Sequence, residues 1–102
     1  MAASRVEEYI TKLFPNLSVN VISDINTINK EYPLFAAVNR AANQVPRHRG
    51  RIIYLEYNPP QDAEKTLILV GKGVTYDSGG ADIKAGGVMA SMSRDKCGAA
   101  AV

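Results

Sequence analysis

One junction constrains this chain more than any other. Thr66-Leu67-Ile68-Leu69-Val70 passes without a break into Gly71-Lys72-Gly73-Val74-Thr75-Tyr76-Asp77-Ser78-Gly79-Gly80-Ala81-Asp82-Ile83-Lys84. A continuous apolar run of that length is the pattern of a strand buried on both faces. The residues after Val70 are opposite in character: a glycine-rich loop with two lysines, Lys72 and Lys84, and two aspartates, Asp77 and Asp82. A third acid, Asp95, comes eleven positions after Lys84 among small residues that read as a helix. Glycine leaves the backbone bare for close approach. Ligands of open α/β sheets collect at the carboxyl ends of strands. The segment therefore predicts a site for a charged ligand.

The residues around it supply the layers. Ser4-Arg5-Val6-Glu7 has the form of a capping box, and Val6, Tyr9, Ile10, Leu13 and Phe14 come at amphipathic helical spacing. Pro15-Asn16 ends that helix. Leu17, Val19 and Val21 alternate with Ser18 and Asn20, so residues 17–22 read as a strand. Ser23-Asp24 caps a short helix carrying Ile25 and Ile28, which stops near Tyr32-Pro33. Leu34, Ala37, Val38 and Ala41 give a further helical face that starts with Pro33 in the first turn, where proline is tolerated, and fades by Asn43-Gln44. Residues 52–57 read as a strand and Asn58-Pro59-Pro60-Gln61-Asp62 as its turn, which predicts antiparallel pairing with residues 66–70. The expected fold is α/β: a layered mixed sheet flanked by helices, in one domain over residues 1–102.

Composition narrows the function. The net charge of +2 argues neither for nor against an acidic partner. No apolar run approaches the roughly 18–20 residues of a membrane span. Met1-Ala2-Ala3-Ser4-Arg5 lacks the basic-then-apolar layout of a secretory signal. A single cysteine, Cys97, cannot form an internal disulfide. These features point to the cytoplasm. Pro46-Arg47-His48-Arg49-Gly50-Arg51 is a basic loop without interleaved aromatic residues, so it reads as a solvated connector rather than a nucleic-acid contact. His48, the sole histidine, lies in that loop and away from the glycine-rich motif. A phosphate-binding loop is excluded by spacing, because Gly73 comes directly after Lys72 and no glycine stands five positions before Gly71.

The order Gly71-Lys72-Gly73, then Asp77-Ser78-Gly79-Gly80, Ile83-Lys84, and Arg94-Asp95 with Gly98-Ala99-Ala100, closely resembles the leucyl (cytosol) aminopeptidase family of two-metal exopeptidases. Tyr76 and the segment from Asp82 to Gly87 are most similar to its aminopeptidase-like branch. The resemblance implies that Lys72, Asp77 and Asp95 are metal ligands, with Asp77 bridging two divalent ions, Zn2+ or Mn2+. It further implies that Lys84 is catalytic, remaining charged to stabilise the developing oxyanion. Met92 matches a position lining the pocket for the first side chain of a peptide; Lys72, Asp77 and Lys84 complete that substrate-binding set. Carboxylates and a neutral amine are sound donors for such ions. A lysine ligand requires that the metal and local desolvation depress its pKa. Two ions about 3.5–4 Å apart activate water and polarise a scissile carbonyl.

The resemblance also implies a second acidic cluster, Asn-Thr-Asp-(Ala/Gly)-Glu-(Gly)-Arg in outline, and nothing like it occurs before Val102. Gly98-Ala99-Ala100-Ala101-Val102 carries no helix stop signal. The expectation is the first part of a catalytic domain, truncated at its C-terminus and inactive alone, from a peptide-cleaving protein whose relatives form homohexamers. The rival reading is a non-catalytic product that binds or assembles with full-length subunits.

Overall fold

The computed structural model describes residues 2–74, 92 and 95–102. The chain opens with helix α1 (Ala3–Leu13), strand β1 (Ser18–Ile22), and helices α2 (Ile25–Glu31) and α3 (Pro33–Asn39). Two short 3-10 turns, Ala42–Gln44 and Pro46–His48, lead to strand β2 (Ile52–Glu56), and helix α4 (Cys97–Ala101) closes the described chain. Helices and a sheet together make it an α/β protein, as expected.

Local chemistry accounts for most of these boundaries. Asp24 caps α2: its carboxylate accepts from the Thr27 backbone N–H at 2.8 Å and from the Thr27 hydroxyl at 2.9 Å. Those two bonds, the backbone one first, hold the Asp24 pKa below its ordinary value. α2 ends at Tyr32 because Pro33 cannot continue its hydrogen bonds. Proline then sits at the start of α3, where a missing N–H costs nothing.

The capping box at Ser4 does not form. α1 begins at Ala3, two residues earlier than that box would set it; its N-cap Ala2 has no side-chain capping bond, and Ser4 lies inside the helix. The physical reason is competition for Glu7, whose carboxylate is held by the Arg51 guanidinium in an ion pair that ties α1 to the start of β2. A tertiary charge-assisted bond outcompetes a local cap.

β1 and β2 pair antiparallel, with Val19 opposite Leu55, Val21 opposite Ile53 and Ile22 opposite Ile52. The Tyr54 hydroxyl on β2 is hydrogen-bonded to the Tyr32 hydroxyl at 3.1 Å, joining the sheet to the α2–α3 corner. That bond, with some desolvation, raises the Tyr32 pKa. Residues 66–70 do not pair with β2 and belong to no strand. Their apolar side chains are exposed, Val70 at 90%. β1 takes one edge of β2, and Pro59-Pro60 removes two donors from the connection, which leaves no tight hairpin to bring residues 66–70 to the other edge. Among the described residues the sheet therefore has two strands.

The core is correspondingly small. Among the described residues Ile28 of α2 is the buried apolar side chain, at 1% exposure. Asn39 is the buried polar one, and both ends of its amide are used. It donates to Asn43 Oδ1 at 2.9 Å and accepts the Gly50 N–H at 2.9 Å, fastening the end of α3 to the residue two before β2. Tyr9, Leu13 and Phe14 on the apolar face of α1 stay exposed. Among the described residues no helix is long and apolar enough to cross a membrane.

Candidate functional site

Lys72 and Asp95 meet. Lys72 comes two residues after the apolar segment 66–70, and Asp95 lies in the turn that leads into α4; Lys72 Nζ stands 3.1 Å from Asp95 Oδ2. The crossing beneath them is made of main chain. The Ala99 N–H of α4 donates to the Lys72 carbonyl at 2.9 Å. Met92 is one turn before Asp95, its carbonyl accepting the Asp95 N–H at 3.0 Å. Three of the five residues singled out from the sequence therefore converge on one turn.

Asp77 and Lys84 lie outside the described residues, as do Tyr76, Asp82 and Arg94. Most of the helix expected before Asp95 lies outside them too; within them α4 begins only at Cys97. Among the described residues no group of three or more His, Cys, Asp or Glu side chains comes together as a metal site. Lys72 and Asp95 offer one nitrogen and one carboxylate oxygen within a few ångströms of each other, a donor set that suits Zn2+ or Mn2+. Both remain in contact with water, with side-chain exposures of 65% and 36%, so a solvated ion can reach them.

Sequence reasoning missed the participation of Gly98 and Ala99 in this geometry. The signal available was the small-residue pair itself, matching Gly71 and Gly73 across the crossing. The basic loop opens with the second 3-10 turn, Pro46–His48, and two of its arginines are engaged within the protein. Arg51 pairs with Glu7, and Arg49 Nε donates to the Asn43 carbonyl at 3.4 Å. His48 ends the second turn, exposed. A separate open cleft of about 360 Å³ lies between α2 and α3, bordered by Ile25, Asn29, Arg40 and Asn43, on elements that carry neither Lys72 nor Asp95.

The profile of the cytosol aminopeptidase family, catalytic domain, matches residues 1–102. The chain belongs to that family. Among its relatives is a Caenorhabditis elegans protein whose name assigns it provisionally as an aminopeptidase, 51% identical over 104 residues, covering 100% of this chain and 20% of the relative. The probable cytosol aminopeptidase of Mycoplasma pneumoniae is 37% identical, over 96% of this chain and 21% of its own length. That of Helicobacter hepaticus is 38% identical, over 91% and 19%. The chain thus spans about a fifth of the length of these relatives. No solved structure matches it.

Proposed function

We propose that this chain carries the first half of the metal site of an aminopeptidase that removes N-terminal residues from peptides in the cytoplasm. Lys72, Asp77 and Asp95 hold metal, Lys84 acts on the reacting carbonyl, and Met92 lines the pocket for the first side chain of the substrate. Two divalent ions, Zn2+ or Mn2+, supply water activation and carbonyl polarisation when bound. The observation that carries the reading is the convergence of Lys72 and Asp95 at 3.1 Å in a chain of the cytosol aminopeptidase family.

The roles divide by chemistry. Lys72 offers a lone pair only as the neutral amine, so taking up an ion requires loss of its proton and release of Asp95 from the ion pair. Asp95 supplies a hard oxygen donor. Lys84 keeps its proton and stabilises negative charge developing on the carbonyl oxygen. The second acidic cluster is absent from this sequence, so the chain alone binds metal weakly and does not turn over peptide. In a longer homologous protein the remaining ligands complete the site, and the assembly is a homohexamer.

Titrating Mn2+ against the purified 102-residue protein tests this. Saturable uptake that weakens in Asp77→Ala is expected, with no hydrolysis of a leucyl peptide. Uptake unchanged by Asp77→Ala would remove the ligand assignment. Stoichiometric binding of the chain to a full-length homologous subunit, without Mn2+ uptake, would favour a non-catalytic assembly role instead.

A further inference from the structure

Two glycines lie where the main chain beside Lys72 crosses that of α4. A Cβ on Gly71 would stand 2.7 Å from the Gly98 carbonyl oxygen and 2.7 Å from Ala99 Cα. A Cβ on Gly98 would stand 2.9 Å from Lys72 N and 3.1 Å from Lys72 O. Those near atoms are backbone, so no change of rotamer relieves the overlap, and the two segments would have to move apart. Each glycine leaves the space that the other segment's main chain occupies. The Ala99 N–H bond to the Lys72 carbonyl closes the crossing at that point.

We propose that Gly71 and Gly98 are positioning residues that set the separation of the Lys72 amine and the Asp95 carboxylate; their consequence for metal rests on the ligand reading above. Lys72 is the next residue after Gly71, and Asp95 stands three positions before Gly98, so any parting of the crossing is carried to both side chains. Ligand distances in a metal site tolerate only about ±0.2 Å. Relieving the overlaps demands several tenths of an ångström, since ordinary carbon contacts begin near 3.5 Å. Neither glycine has a side-chain ligand atom. Both act through the main chain they allow to touch.

The test uses the 102-residue protein and three variants: Gly71→Ala, Gly98→Ala and, as a control, Gly50→Ala. A Cβ on Gly50 would stand 2.5 Å from Asn39 Oδ1 and 2.9 Å from Phe35 Cζ, an overlap with side chains on other elements, so it adds the same methyl away from the crossing. A carbodiimide joins a lysine amine to a carboxylate only when they are already in contact, and mass spectrometry locates the link. The wild-type chain and Gly50→Ala should form the Lys72–Asp95 link; Gly71→Ala and Gly98→Ala should lose it. Mn2+ affinity should fall about 10–100-fold in the same two variants and hold in Gly50→Ala. Should either variant lose its circular-dichroism spectrum, Ala99→Pro removes the closing N–H without adding a Cβ at the crossing, in a first helical turn that tolerates proline. A link retained in Gly98→Ala, or in Ala99→Pro, would overturn the proposal. A wild-type chain that links Lys72 to Asp95 yet takes up no Mn2+ would instead remove the ligand reading and leave the positioning intact.

Discussion

Lys72 Nζ and Asp95 Oδ2 form an ion pair at 3.1 Å between side chains that both remain wet. Exposed pairs of this kind contribute about 0–1 kcal/mol to stability. Lys72→Met should therefore leave the urea midpoint close to that of the parent chain while abolishing Mn2+ uptake. A large drop in midpoint with Mn2+ binding retained would make the pair structural and the ligand assignment wrong.

Asn39 offers the opposite case, a polar side chain held for the fold. Its amide bridges Asn43 and Gly50 from a buried position. Asn39→Ala leaves the Gly50 N–H without that acceptor, and an unsatisfied buried group costs about 1–3 kcal/mol. Urea unfolding should show a loss of that size, with the Lys72–Asp95 link unaffected. Asn39→Asp, which keeps the acceptor for Gly50, should recover part of it.

Ile28 makes a sharper demand, because the described core has so little else in it. Truncation to Ala at a buried position of this kind costs about 2–5 kcal/mol, and to Val about 0.5–1.5 kcal/mol. Ile28→Ala should therefore melt far below Ile28→Val in thermal unfolding. Equal melting of the two would show that α2 does not anchor the fold.

The Asp24 cap predicts a pH dependence. Its carboxyl is held below the ordinary value of 3.8, first by the Thr27 backbone N–H and then by the Thr27 hydroxyl. A lowered folded-state value means the charged form is favoured in the native chain, so the contribution is complete above 3.8 and is lost as pH falls through the folded-state value. The urea midpoint of the parent chain should exceed that of Asp24→Ala at neutral pH, and the gap should close in acid. Asp24→Asn, a good cap without a charge, should lack this part of the acid dependence. A gap that persists undiminished at low pH would count against the carboxylate as the capping group.

The family was legible in the sequence, whereas the meeting of Lys72 and Asp95 was not. The roles proposed for Lys72, Asp77, Lys84 and Asp95 rest on resemblance across a long, fixed spacing, and no local rule brings Lys72 near Asp95. That approach depends on two bare stretches of main chain touching, which only the folded chain displays. The basic loop reads as a ligand surface or a connector in one dimension; Arg51 turns out to be engaged by Glu7, a residue the sequence assigns to a helix cap.

What the sequence by itself determined is most of what is set within about four residues, the Ser4–Glu7 capping box being the exception. The Asp24 cap, the break at Pro33, the alternation of β1 and the end of α1 all arise from short-range sterics and hydrogen bonds, and the structure has each of them. Tertiary structure alone decided which strands pair and where Glu7 spends its charge. The apolar run 66–70 has the composition of a buried strand, but a ladder needs a partner edge, and among the described residues β1 is the strand that pairs with β2. Pairing is a competition among distant segments for the same hydrogen bonds. Its outcome is a property of the assembled sheet, which no window of sequence contains.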